Sequence, residues 1–194
     1  MAGFSQRQKQ IIDESILLIS EKGIQELTIK NIARNIGVSE PAIYRHFTNK
    51  LDIILSILDY FQEMSETFIT LLPKNSSELE KIEQIFLTRL KTFSENKALA
   101  GVVFSEELFR NDPRLSSKVK EIMYFTQSKL TALIESAQVK QDIPSSLNAK
   151  HIAIMILGTL RLLVTRWRME QYSFDLVAEG KNLWRTIVSL LQLT

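Results

Sequence analysis

Between Leu27 and Phe47 the chain packs two short amphipathic helices and a tight turn into twenty-one residues, and that spacing limits what it can build. Thr28 is placed to cap the first helix with its hydroxyl. Ile29, Ile32, Ala33 and Ile36 then recur at i, i+3, i+4 and i+7, one apolar stripe of helical period. Gly37 follows the last of them and suits the left-handed residue that ends a helix. Val38 is placed to pack between the helices, and the small Ala33 lets them approach. Ser39 is expected to cap the second helix, with Pro41 in its first turn, where a missing N–H is tolerated. Ile43 and Phe47 form its buried side. Glu40, Pro41, Ala42, Tyr44, Arg45 and His46 are left for solvent or for a ligand. The spacing is that of a helix-turn-helix, which sets its second helix into the DNA major groove. An ordinary αα-hairpin has the same outline.

Beyond this segment the pattern is helical throughout. Glycine and proline number only 6 and 4 in 194 residues, and apolar side chains, 45% of the total, keep helical spacing, which predicts an all-α fold of about nine helices. Helix 1 is expected over about 5–22, ending at Gly23, and helix 4 over about 50–72, capped by Asn49 and stopped by Pro73. Helices follow over about 78–96, 98–110, 114–140, 148–170 and from 173 or 175 to 192. Residues 1–50 read as a three-helix DNA-binding domain and residues 51–194 as a larger helical domain, with helix 4 as the mechanical link.

Charge follows this division. Residues 1–50 hold seven Lys or Arg against five acids, while the remainder carries seventeen of each, so the whole net charge of +2 sits with the helix-turn-helix. One copy with so small an excess would bind DNA weakly, and pairing would double it. Cysteine is absent, which excludes disulfides and thiolate metal sites and fits a reducing, cytoplasmic setting. No signal-peptide pattern is expected at the start of the sequence. The most apolar run, 152–164, is shorter than a membrane span and contains Arg161.

Catalytic patterns are missing. The two histidines, His46 and His151, have no sequence neighbours that would complete a metal or acid–base set. There is no phosphate-binding glycine loop and no Gly-x-Ser-x-Gly or His-Glu-x-x-His. Glu106 and Glu107 are adjacent and therefore point to different sides of a helix. The sequence predicts no catalytic residues, no metal and no cofactor.

From Ser5 to about Leu55 the chain resembles the DNA-binding region of the TetR (tetracycline-repressor-like) regulators. The resemblance rests on the long first helix, Gly23, Leu27-Thr28-Ile29-x-x-Ile32-Ala33, Gly37-Val38-Ser39 and above all Ile43-Tyr44-Arg45-His46-Phe47-x-x-Lys50. Later stretches resemble one of that family's regulatory domains: Phe104-Ser105-Glu106-Glu107-Leu108-Phe109-x-x-Asp112-Pro113-Arg114-Leu115, Leu157-Gly158-x-Leu160-Arg161-Leu162-Leu163 and Trp167. The resemblance implies that Glu40, Pro41, Ala42, Tyr44, Arg45 and His46 face double-stranded DNA, with Tyr44 and His46 mainly on phosphates. It puts Thr28, Lys30 and Lys50 on the backbone, where helix N-termini and lysines fix register. Arg45 is the candidate for base readout through guanine O6 and N7. Glu40 is acidic where the groove is expected; it either accepts from a cytosine amine or faces solvent.

The resemblance also implies an inducer pocket. Phe61, Phe86, Leu90, Phe93, Phe104, Leu108, Tyr124, Met155 and Thr159 are candidate walls, although such a stripe also reads as ordinary core. Arg89, Glu106, Glu107 and Arg161 are candidate polar anchors. Apolar walls point to a hydrophobic effector of unknown identity. Helices 8 and 9 are apolar on more than one face, so Leu160, Leu163, Trp167, Leu183, Trp184, Ile187 and Leu191 are expected at a homodimer interface; packing within one chain is the alternative. The expected function is that of a ligand-responsive dimeric repressor on a near-palindromic operator, with no membrane partner. A helical protein-interaction module without sequence-specific DNA binding is the competing reading.

Overall fold

The computed structural model describes residues 3–104 and 112–192. Nine α-helices are found among the described residues, with no strand. They are α1 (Gln6–Lys22), α2 (Ile29–Asn35), α3 (Glu40–Tyr44), α4 (Lys50–Thr70), α5 (Glu78–Glu95), α6 (Lys97–Val103), α7 (Pro113–Val139), α8 (Ala149–Met169) and α9 (Leu176–Gln192), with a short 3₁₀ turn at Ile24–Glu26. The sixth helix, expected to reach Arg110, is described only to Val103. Glu106, Glu107 and Leu108 lie outside the described residues.

The chain divides into two compact units, Met1–Phe68 with Asn96–Lys120, and Ile69–Glu95 with Glu121–Thr194. The core of the first unit holds Ile11, Ile12 and Leu18 of α1, Ile32 and Ala33 of α2, Ile43 of α3, and Ile53, Ile57 and Phe61 of α4, all buried; those of α2 and α3 lie on the predicted stripes. Ser15 is buried among them without penalty, because its hydroxyl donates to the Ile11 carbonyl at 2.6 Å. α1 opens with a full capping box, Ser5 with Gln8, and ends at Gly23, whose φ of 85° suits glycine. α6 packs on α1, supplying Ala98, Leu99, Ala100 and Val102.

In the second unit α5 packs against both α8 and α9. Gly180 marks the α5–α9 crossing, where an added Cβ would overlap Leu90 Cδ1. Beside it the rings of Phe86 and Trp184 lie 5.8 Å apart. The buried carboxylate of Glu78, with 8% of its side chain exposed, is held at 2.8 Å by each of Lys81, Lys140 and Ser136. Those partners, with Lys140 first, keep its carboxyl at about 2, below the ordinary 4.5. The α8–α9 turn is closed by Trp167, whose indole N–H donates to the Phe174 carbonyl at 3.0 Å and whose ring meets Tyr172 edge-on at 4.6 Å. Gln171 and Tyr172 in this turn both have positive φ, 53° and 63°.

Candidate nucleic-acid interface

The α2–turn–α3 segment is built as its sequence requires. Thr28 Oγ1 accepts the Asn31 N–H at 3.1 Å, the expected cap. At the other end of α2, Val38 N donates to Ala33 O at 2.9 Å and Gly37 N to Arg34 O at 3.3 Å. This paired closure needs a left-handed residue, and Gly37 supplies it with φ of 71°. Ser39 occupies the cap position of α3 but its side chain makes no capping bond, so Pro41 and the preceding turn set the start of that helix. Regular helix stops at Tyr44, and Phe47, beyond its end, is still buried with Ile43.

With one side of α3 buried, the other is open. Glu40, Pro41, Tyr44 and Arg45 are exposed, Ala42 and His46 half-buried, and Thr28 and Lys30 exposed at the start of α2. Tyr44 leaves 52% of its surface in solvent. The frame behind this surface is cross-tied. Asn35 Nδ2 donates to Glu14 Oε1 at 2.8 Å, joining α2 to α1, and Asn31 Nδ2 donates to the Glu26 carbonyl at 2.9 Å. Asn49 caps α4 by accepting the Asp52 N–H at 3.1 Å. Lys50 is half-buried, with Nζ donating to the Ile24 carbonyl at 3.2 Å, and desolvation lowers its pKa. A cross-tied reader that presents Tyr44 at the end of α3, with the Arg45 cation and the His46 ring just beyond it, is suited to entering a DNA groove.

Residues 11–57 match the family model "Bacterial regulatory proteins, tetR family", and residues 59–190 match "YsiA-like protein, C-terminal region". The chain belongs to the TetR family. This TetR-family chain is 30% identical over 186 residues to the Fatty acid metabolism regulator protein of Bacillus subtilis (strain 168), covering 93% of each. Among solved structures it is similar to the fatty acid degradation regulator FadR from Bacillus halodurans (TM-score 0.82, 25% identity, 95% of this chain and 96% of that one). It is also similar to the transcriptional regulator FadR from Bacillus subtilis in complex with stearoyl-CoA (TM-score 0.77, 28% identity, 93% and 97%). The chain is therefore a DNA-binding transcriptional regulator of the TetR type.

The residues expected to line an effector pocket are distributed unevenly. Phe86, Leu90 and Phe93 are buried in the second unit, Phe61 is buried in the first, and Thr159 and Phe104 are half-buried. Tyr124 and Met155 lie at the surface. Arg89, in the second unit, donates to Thr126 Oγ1 at 3.4 Å, and burial lowers its pKa to about 10. Of the residues expected to face a second chain, Leu160, Leu163, Trp167, Trp184 and Leu191 are buried within this one, while Leu183 and Ile187 are half-buried. The outward side of α8 carries Ile154, Met155, Leu162 and Met169, the last two 70% and 79% exposed; among them only Met155 is a sequence-predicted site residue, as a pocket wall. Helical spacing from His151 through Gly158 to Leu162 would have grouped them, but a helix apolar on two sides does not say which side its own chain covers.

Proposed function

We propose that the protein is a dimeric, effector-released repressor whose α3 reads a near-palindromic operator. The observation that carries this reading is the exposed Tyr44–Arg45 face on a cross-tied helix-turn-helix. Arg45 reads a base edge. Tyr44, His46, Thr28 and Lys30 meet phosphates, and Glu40, Pro41 and Ala42 border the groove. Lys50 secures the frame through Ile24. Residues 1–50 act as the reader and 51–194 as the effector-binding and dimerising part, working in the cytoplasm by binding and not by catalysis.

The second copy is recruited by the outward side of α8. Ile154, Met155, Leu162 and Met169 form an apolar strip that a monomer leaves wet. Gly158 supports this placement: an added Cβ there meets nothing within 4 Å inside the chain, so no internal packing calls for glycine at that point. Leu160, Leu163, Trp167, Leu183, Trp184, Ile187 and Leu191 hold α8 and α9 in the shape that the partner meets. A two-fold pair sets two recognition helices about one DNA turn apart, ~34–36 Å.

The effector is a long-chain acyl-CoA, the class bound by the Bacillus subtilis relative in its stearoyl-CoA complex. Apolar side chains including Phe86, Leu90 and Phe93 meet the acyl chain, and Arg89 is its polar anchor. A ligand that fits one arrangement of the pair better shifts the population toward it, and a coupling of ~1–3 kcal/mol changes operator affinity about 5- to 150-fold. The test is selection of bound fragments from genomic DNA, followed by titration of the selected operator with stearoyl-CoA. Sequence-selective binding that weakens by at least fivefold supports the proposal. Unselective binding overturns the operator reading, and affinity indifferent to acyl-CoA overturns the effector reading.

A further inference from the structure

The stretch Asp112-Pro113-Arg114-Leu115 has no part in reading DNA, yet it opens α7 with an unusual set of bonds. Pro113 is the first helical residue, and Asp112 Oδ1 accepts the backbone N–H of Arg114 at 2.8 Å, an N-cap bond. The same carboxylate takes the Arg114 side chain, with Nε 3.3 Å from Oδ1 and Nη2 3.2 Å from Oδ2. Held there, the guanidinium reaches α4: Nη1 donates to Asp52 Oδ1 at 3.4 Å, across sixty-two residues of sequence. The other oxygen of Asp52 accepts the N–H of Thr48 at 3.2 Å, in the turn that follows α3. Leu115 is buried. All of these residues belong to the first unit.

The contacts form a line from the first turn of α7 to the backbone just after the recognition helix. Electrostatics favours it. The Arg114 guanidinium holds the Asp112 carboxyl below its usual range, and Asp112 and Asp52 together raise Arg114. A second α4–α7 ion pair, Lys118 with Asp59 at 2.6 Å, lies further along both helices.

We propose that Arg114 is a positioning residue for DNA recognition. Through Asp52 it fixes the Thr48–Asn49 turn, and so makes the first turn of α7 part of the reader's frame. It touches no DNA itself. This role rests on the reading of α3 as the DNA-contacting helix.

The experiment uses the full-length protein and its selected operator without effector, comparing wild type with Arg114→Ala, Arg114→Lys and Lys118→Ala. Operator affinity is measured at several salt concentrations, and amide hydrogen exchange at Thr48 is followed in the free protein. Arg114→Ala should raise Kd by about two- to fivefold, the range of an exposed ion pair. It should leave the salt slope unchanged, since no phosphate contact is lost. Exchange at Thr48 should quicken. Arg114→Lys should restore part of both, and Lys118→Ala should alter neither. A salt slope reduced by about one for Arg114→Ala would make it a phosphate contact and overturn the proposal. Equal effects from Lys118→Ala would reduce the role to general packing and overturn it as well. Wild-type exchange and affinity in Arg114→Ala would do the same. If wild type bound no operator, the reading of α3 would fall separately, while exchange at Thr48 would still decide whether Arg114 holds the turn.

Discussion

Lys50 Nζ donates to the backbone carbonyl of Ile24 at 3.2 Å, so the first residue of α4 closes the elbow between α1 and α2. A lysine that only touched phosphate would leave the free protein unchanged when removed. Lys50→Met should instead lower the melting midpoint without DNA by about 2–4 °C, the loss of roughly one hydrogen bond worth ~1 kcal/mol in a chain of this size. Calorimetry checks it, and an unchanged midpoint would return Lys50 to the phosphate role.

Arg45 and Lys30 should separate base reading from backbone contact. Arg45→Ala should relax preference at one operator position by ~1–3 kcal/mol while leaving non-specific binding largely intact. Lys30→Ala should weaken all sequences alike and reduce the salt slope by about one. Competition binding with single-base operator variants distinguishes the two.

Glu78 gives the second unit an acid-sensitive clamp. Its carboxyl is held at about 2 in the folded chain against an ordinary 4.5, so its contribution is fully present above about 4.5 and fades as pH falls toward 2. Glu78→Gln should cost about 2 kcal/mol at neutral pH, since Lys81, Lys140 and Ser136 lose a shared charged acceptor. The difference between variant and wild type should shrink below pH 4.5. Urea unfolding across this range measures both effects.

The two glycines of the C-terminal hairpin should respond oppositely to alanine. At Gly180 the new methyl meets Leu90, and overpacking should destabilise by about 1–3 kcal/mol. At Gly158 nothing inside the chain obstructs it, so the folded monomer should gain about 0.5–1 kcal/mol of helix preference. Denaturant titrations of both variants at low protein concentration test the contrast.

The exposed strip of α8 predicts where pairing fails. Leu162→Glu combined with Met155→Glu should yield a monomer of unchanged helicity and much weaker operator binding, because these side chains are mostly exposed in the single chain. Sedimentation velocity and circular dichroism together read this out. A dimer that persisted would place the partner elsewhere.

Local rules made the reader legible. Thr28, Gly37 and the Ile29–Ile32–Ala33 stripe each act within one turn of helix, and all three take their expected form. Ser39 departs from this because Pro41 and the paired closure at Gly37 already fix the start of α3. What sequence reading missed depends on long-range placement. Lys50 meets Ile24 twenty-six residues away and Arg114 meets Asp52 sixty-two away, and no periodicity announces such pairs. The orientation of α8 was hidden for a different reason. Ile152, Ile156 and Leu163 on one side and Ile154, Met155 and Leu162 on the other are equally apolar, so burial is decided by the helices packed around them.

The closed turn between α8 and α9 has a thermodynamic corollary. Trp167 anchors Phe174 and seats Tyr172, so the hairpin is preorganised before any companion arrives. Association then costs little conformational entropy, and two subunits parted by dilution should keep their ellipticity and rejoin without a slow refolding phase.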